Sequence, residues 1–199
     1  MSFVTQYALP FTQSAVLANG EIKTDFSWDS YTQGHDAILF FYPLNFTFVC
    51  PSELIALNNR YKEFEERATK VVAISIDSVY SHIAWRNTAI EQGGIAAVQY
   101  PIVADIDHKI CKHYAVEHDS GVALRSVIIV DNCGIIRAQM TYDLPIGRNI
   151  DEILRVIDAI QFHREYGDVC PSGWERGNKG MKATADGVKD YLTNHIHDL

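Results

Sequence analysis

Residues 37–53 read AILFFYPLNFTFVCPSE, and the order of residue types in this stretch decides the fold. Ala37 to Tyr42 form a short unbroken apolar run, the pattern of a strand buried on both faces. Pro43 ends the run, because proline has no N–H to give to a sheet. Cys50-Pro51 then opens a helix, since proline is favoured in a first turn where its missing N–H would go unpaired anyway. Leu54, Leu57, Tyr61 and Phe64 follow at helical spacing, so one helix is expected from Cys50 through Phe64. The stretch is a strand, a loop and a helix, with a cysteine at the junction.

Outward from this unit the alternation continues. Residues 71–76 (VVAISI) read as a second buried strand, and residues 81–92 as a helix stopped by Gly93-Gly94. Residues 102–104 suit a short strand and 109–114 a short helix. Residues 126–130 (SVIIV), the turn at 131–134 and residues 135–140 suggest a β-hairpin. Asn149 or Asp151 opens a long helix striped by Ile153, Leu154, Ile157 and Ile160, ending near Gly167. Beyond it lies a Gly-rich, polar arm with a late helix over 185–192. Strands alternating with helices, then a hairpin and a helix, predict an α/β sandwich of the thioredoxin type. The expected division is a thioredoxin-like domain over 1–166 and an arm over 167–199.

The chain has 199 residues, 47% of them hydrophobic, enough for one globular domain with extensions. The formal net charge is -8 with no Lys/Arg run, which disfavours nucleic acid and anionic membrane surfaces as partners. No apolar run approaches a membrane span, and the first residues show no basic-then-apolar leader, so a cytoplasmic protein is expected. Of the four cysteines, Cys50 carries the clearest chemical context. Placed at the N-cap, its sulfur faces unpaired N–H groups and the positive end of the helix dipole, both of which favour the nucleophilic thiolate. Thr47 lies near enough in sequence to hydrogen-bond the sulfur or an incoming oxygen, and Glu53 at N3 either caps the helix or acts in the site. Simple disulfide exchange is disfavoured, because Glu53 stands where a Cys-x-x-Cys motif needs its second thiol.

The stretch FYPLNFTFVCPSE resembles the active-site segment of the peroxiredoxins, matched at Pro43, Thr47 and Cys50, with Ser52 where the family usually has threonine. Leu124-Arg125 before a strand is similar to the family's active-site arginine. Residues 143–148 (DLPIGR) and 169–174 (VCPSGW) resemble segments of the typical 2-Cys subgroup, the alkyl hydroperoxide reductase C and thioredoxin peroxidase type. The resemblance runs in order from about Tyr31 to Trp174, and it implies a thioredoxin-like fold with an N-terminal β extension and a C-terminal arm.

It further implies a hydroperoxide reductase that needs no cofactor and no metal. Cys50 would attack the peroxide, Pro43 would shield the site, and Thr47 and Arg125 would orient the peroxide. Arg148 would support the site, or would only pair with Asp143 or Asp151. The resulting sulfenic acid would condense with Cys170 to a disulfide. The residues leave pairing within one chain or between two open; the resemblance implies two. It also implies thioredoxin or a dedicated flavoprotein disulfide reductase as reductant, and a homodimer assembling into a ring, commonly a decamer. Holdase chaperoning and redox relay to a partner protein are the alternatives. Trp85 reads as a packing residue, placed near the site by the resemblance. Cys111 reads as core and Cys133 as an exposed turn residue; Cys111-x-His113 and His195-x-His197 are too few ligands for a metal. Relatives inactivated by peroxide usually carry a Gly-Gly-Leu-Gly loop and a Tyr-Phe pair in the last helix. Here the corresponding residues are Gly93-Gly94-Ile95-Ala96 and Tyr191-Leu192, so a loop that sits differently and intermediate sensitivity are expected.

Overall fold

The computed structural model describes residues 2–196. The chain divides into two compact units at Ile150 and Asp151. The first contains a seven-stranded mixed sheet built from β1 (Thr12–Val16), β2 (Ile22–Ser27), β3 (Asp36–Phe41), β4 (Thr69–Ser75), β5 (Ile102–Ala104), β6 (Arg125–Val130) and β7 (Ile136–Tyr142). Their order across the sheet is β2-β1-β5-β4-β3-β6-β7. β3 sits inside it, parallel to β4 and antiparallel to β6, and all six of its residues are buried. That is why residues 37–42 carry no polar alternation: both faces of this strand are covered. β1 and β2 form the N-terminal extension, an antiparallel hairpin joined to β5. This is the thioredoxin-like α/β architecture that the alternation of elements predicts.

Among the described residues this unit holds the helices α1 (Trp28–Thr32), α2 (Cys50–Asn59), α3 (Tyr61–Glu66), α4 (Val79–Asn87) and α5 (Lys109–His113). The single helix expected from Cys50 through Phe64 is two. Asn58 and Asn59 are weak helix formers, the Asn58 side chain accepts from Gln99 N at 2.8 Å, and Arg60 leaves helical geometry with φ -103° and ψ 7°. The helix expected over 81–92 begins earlier and stops sooner. Ser78 caps it by accepting from Ser81 N, and after Thr88 only a 3-10 turn at Ile90–Gln92 continues.

The second unit holds α6 (Ile150–Tyr166), all but its first residue, and α7 (Ala185–His195). Ile153, Leu154 and Ile157 of α6 are buried, whereas no residue of α7 is. No helix among the described residues is long and apolar enough to cross a membrane.

Candidate active site

The loop after β3 places Pro43 in the interior and leads into α2. Cys50 is the first helical residue rather than the N-cap. Val49 occupies the cap position with no capping side chain, and the first helical bond runs from Glu53 N to Val49 O at 3.2 Å. The Cys50 thiol is fully buried at this helix start. Glu53 therefore sits one position further in than expected, and it does not cap. Its carboxylate turns away from the helix end towards two buried arginines.

Arg125, the first residue of β6, donates through Nη1 to Cys50 Sγ at 3.3 Å and to Glu53 Oε2 at 2.6 Å, and through Nε to Leu144 O at 2.6 Å. Arg148 forms a fork on Glu53: Nε to Oε1 at 2.9 Å and Nη2 to Oε2 at 3.0 Å, with its backbone N on Oε1 at 2.9 Å. Its Nη1 also donates to Phe41 O and Ser126 O, and its guanidinium lies 3.4 Å from the centre of the Phe40 ring. The 143–148 turn delivers both the Leu144 carbonyl and Arg148. Gly147 in this turn packs against Val49, where a Cβ would stand 3.4 Å from Cγ1, an ordinary contact.

Two permanently charged guanidiniums face one carboxylate, all nearly inaccessible to solvent. Burial works to raise the Glu53 carboxyl, but the Arg148 hydrogen bonds and charge, with the Arg125 charge behind them, hold it below the usual carboxylate range. The cluster thus carries an excess positive charge beside the sulfur. A thiolate at Cys50 balances it, and a thiol does not. Arg148 pairs with Glu53 in this cluster.

Thr47 does not turn its proton to the sulfur. Its hydroxyl donates to Leu44 O at 2.8 Å, which leaves the oxygen free to accept from an incoming O–H. Trp85 is buried, its Nε1 on Gly93 O at 2.8 Å and its ring 6.0 Å from Phe46 in the loop. Ala96 adopts φ 56°, the left-handed conformation that alanine was expected to resist.

The sequence reading missed a polar network under the Pro43–Thr47 loop. Tyr42 donates to Asn45 Oδ1 at 2.8 Å, Asn45 N donates to Asp77 at 2.9 Å, and His82 Nδ1 lies 3.1 Å from Asn45 Nδ2. Burial, opposed by Asp77, pulls His82 down to about 4, so the ring is neutral near pH 7. Polar residues spaced this widely in sequence gave no pattern to find.

Cys170 belongs to the second unit, half-buried, with its thiol donating to Ala159 O at 3.5 Å. All four cysteines are free; Cys133 is exposed and Cys111 buried, its thiol pushed up by burial and by Asp105. His197 lies outside the described residues, and among those described no metal-ligand cluster of three or more forms.

The sequence matches the AhpC/TSA family over residues 4–139 and the C-terminal domain of 1-Cys peroxiredoxin over residues 159–194. It is 48% identical to alkyl hydroperoxide reductase C of Buchnera aphidicola subsp. Schizaphis graminum over 98% of this chain and 100% of that protein. It is 44% identical to a thioredoxin peroxidase of Echinococcus granulosus over 96% of this chain and 98% of that one. The structure is similar to that of reduced Plasmodium vivax 2-Cys peroxiredoxin, with a TM-score of 0.94 and 40% identity, covering 97% of this chain and 100% of that chain.

Proposed function

Because this chain belongs to the AhpC/TSA family, as a typical 2-Cys peroxiredoxin and hence a thiol-dependent peroxidase, we propose that Cys50 is its peroxidatic thiol and Cys170 its resolving thiol. The observation that carries this is Arg125 Nη1, which donates to Cys50 Sγ while gripping Glu53. The Cys50 thiolate attacks one peroxide oxygen in line with the O–O bond. The S–O bond forms as the O–O bond breaks, and the departing oxygen leaves as water or an alcohol once protonated. Thr47 accepts from the peroxide O–H and the Arg125 guanidinium stabilises the developing negative charge. Pro43 keeps bulk water from the sulfur. Glu53 and Arg148 hold Arg125 in place.

Cys50 sulfenic acid then condenses with Cys170 of a second subunit, and an external dithiol reduces the disulfide. Thioredoxin or a dedicated flavoprotein disulfide reductase fits that role, and the name of the Echinococcus relative supports the former. We read the protein as cytoplasmic and as a homodimer that assembles into a decameric ring. Exposed Phe46 and Phe48, in the loop that leads to Cys50, and exposed Tyr80 on α4 favour such burial.

Peroxide turnover with each reductant tests the reading. Cys50→Ser should abolish it, while Cys170→Ser should consume about one peroxide per subunit and then stop. Sustained turnover by either variant would refute the assignment.

A further inference from the structure

The segment that carries Cys170 is strapped along one stripe of α6. Rising through the strap, Asp168 O lies 2.8 Å from His163 Nδ1, Cys170 Sγ donates to Ala159 O, and Trp174 O accepts from Arg155 Nη1 at 3.0 Å. His163, Ala159 and Arg155 are spaced four apart, so they share one face of the helix. Trp174 is buried against Phe162, with ring centroids 4.8 Å apart, and anchors the far end. Arg155 fastens that end and is itself held by a fork to Glu152, at 2.7 and 2.8 Å.

On the reading that Cys170 resolves the sulfenic acid, we propose that Arg155 is a positioning residue for disulfide formation: it clasps the Cys170 segment onto α6 and sets a positive charge one helical turn from Ala159, whose carbonyl accepts from the Cys170 sulfur that must become the attacking thiolate. In that step Cys170 loses its proton and its sulfur bonds to the Cys50 sulfur. The Cys50 S–O bond breaks, and the oxygen leaves as water with the proton released. The peroxide already consumed is the only oxidant.

The electrostatics agree. Burial pushes the Cys170 thiol up, and Arg155 is the charge that opposes it. The other charges on the strap and its facing stripe are largely compensated. Asp168 pairs with Lys182 at 2.5 Å and Asp158 with Arg176 at 3.9 Å, His163 is tied to Asp168 O, and Glu175 acts on Arg155 rather than on the sulfur. Glu152 partly neutralises Arg155, so the pair sets how strongly the thiolate is favoured.

Two substitutions separate charge from clasp: both break the fork and change the local charge in opposite directions, but only Arg155→Gln removes the bond to Trp174 O. A labelling midpoint moved by Arg155→Gln alone would leave clasping without a charge effect and overturn the proposal. In the reduced full-length protein, iodoacetamide labelling of the Cys170 peptide is followed by mass spectrometry across pH. Arg155→Gln should move the labelling midpoint up by about half a unit, an about threefold loss of thiolate at neutral pH, and Glu152→Gln should move it down. Quenched-flow formation of the Cys50–Cys170 disulfide should follow the same order. If the two midpoints move together, or neither moves, Arg155 does not act on Cys170 by its charge and the proposal falls. If the midpoints diverge but wild type forms no Cys50–Cys170 disulfide, Arg155 tunes the thiol, yet its role in disulfide formation falls together with the resolving assignment.

Discussion

Glu53 stands in the first turn of α2, where capping and a role in the site were both open. Near the N-terminus it has the look of a cap, but its carboxylate is the shared acceptor of two buried guanidiniums. Removing one partner of such a cluster leaves uncompensated charge, so Glu53→Gln is expected to cost about 3–5 kcal/mol in urea unfolding. It should also slow the reaction of Cys50 with peroxide by at least about tenfold, since Arg125 loses its anchor. Because the folded carboxyl lies below its unfolded value, this stabilisation is present above the ordinary carboxylate range and is lost as the pH falls below it. His82 gives a pH dependence in a higher window. Its folded value of about 4 lies under the usual 6.5, so the unfolded chain takes up a proton first as the pH drops. Stability should be undiminished above pH 7 and fall by about 2 kcal/mol by pH 5. Urea midpoints for wild type and His82→Gln check this; parallel pH curves would remove His82 as the cause.

At the scale of elements, the loop after α4 and the last helix carry the question of peroxide inactivation. Ala96 takes the left-handed conformation that glycine adopts freely and that costs a residue with a Cβ more. Ala96→Gly is expected to be neutral or to stabilise by up to about 1 kcal/mol, the relieved strain being offset by the freer unfolded chain. Val188 and Leu192, one turn apart on α7, stay substantially exposed within the chain, at 39% and 41%. If α7 restrains unfolding of the Cys50 helix, as the resemblance implies, the sulfenic acid persists and meets a second peroxide. Deleting residues from Ala185 onward should then lower the yield of Cys50 sulfinic acid at graded peroxide, read by mass spectrometry. An unchanged yield would show that α7 is no clamp.

For the whole molecule, oxidation is expected to be visible as assembly. Fully oxidised protein should run as a covalent dimer on a non-reducing gel, and Cys170→Ser should not. Disulfide formation must draw Cys50 out of the first turn of α2, where it is now fully buried. Phe48, 97% exposed, and Phe46 precede that turn, so a ring interface that covers them would be disturbed when it unwinds. Sedimentation should show smaller species after oxidation. Identical profiles over a range of concentrations would separate the redox cycle from assembly.

The sequence by itself determined the elements and the chemistry. An apolar run closed by Pro43, a helix opened by Cys50-Pro51 and the alternation around them follow from local rules, because periodicity and proline geometry act between near neighbours. They also brought out Cys50 with Thr47 three residues before it, whereas the site role of Pro43 came only from the family resemblance. What the tertiary structure alone decided is pairing at long range. Residues 50, 53, 125 and 148 meet because β3 and β6 are adjacent and the 143–148 turn folds back on α2, and no local pattern encodes that adjacency. The same holds for the break at Arg60, where the Asn58 side chain serves Gln99 instead of the helix. It holds again for Asn45, Asp77 and His82, polar residues whose partners become known only once they are buried together. A buried charge must find its counter-charge somewhere in the fold, and only the packed structure says where.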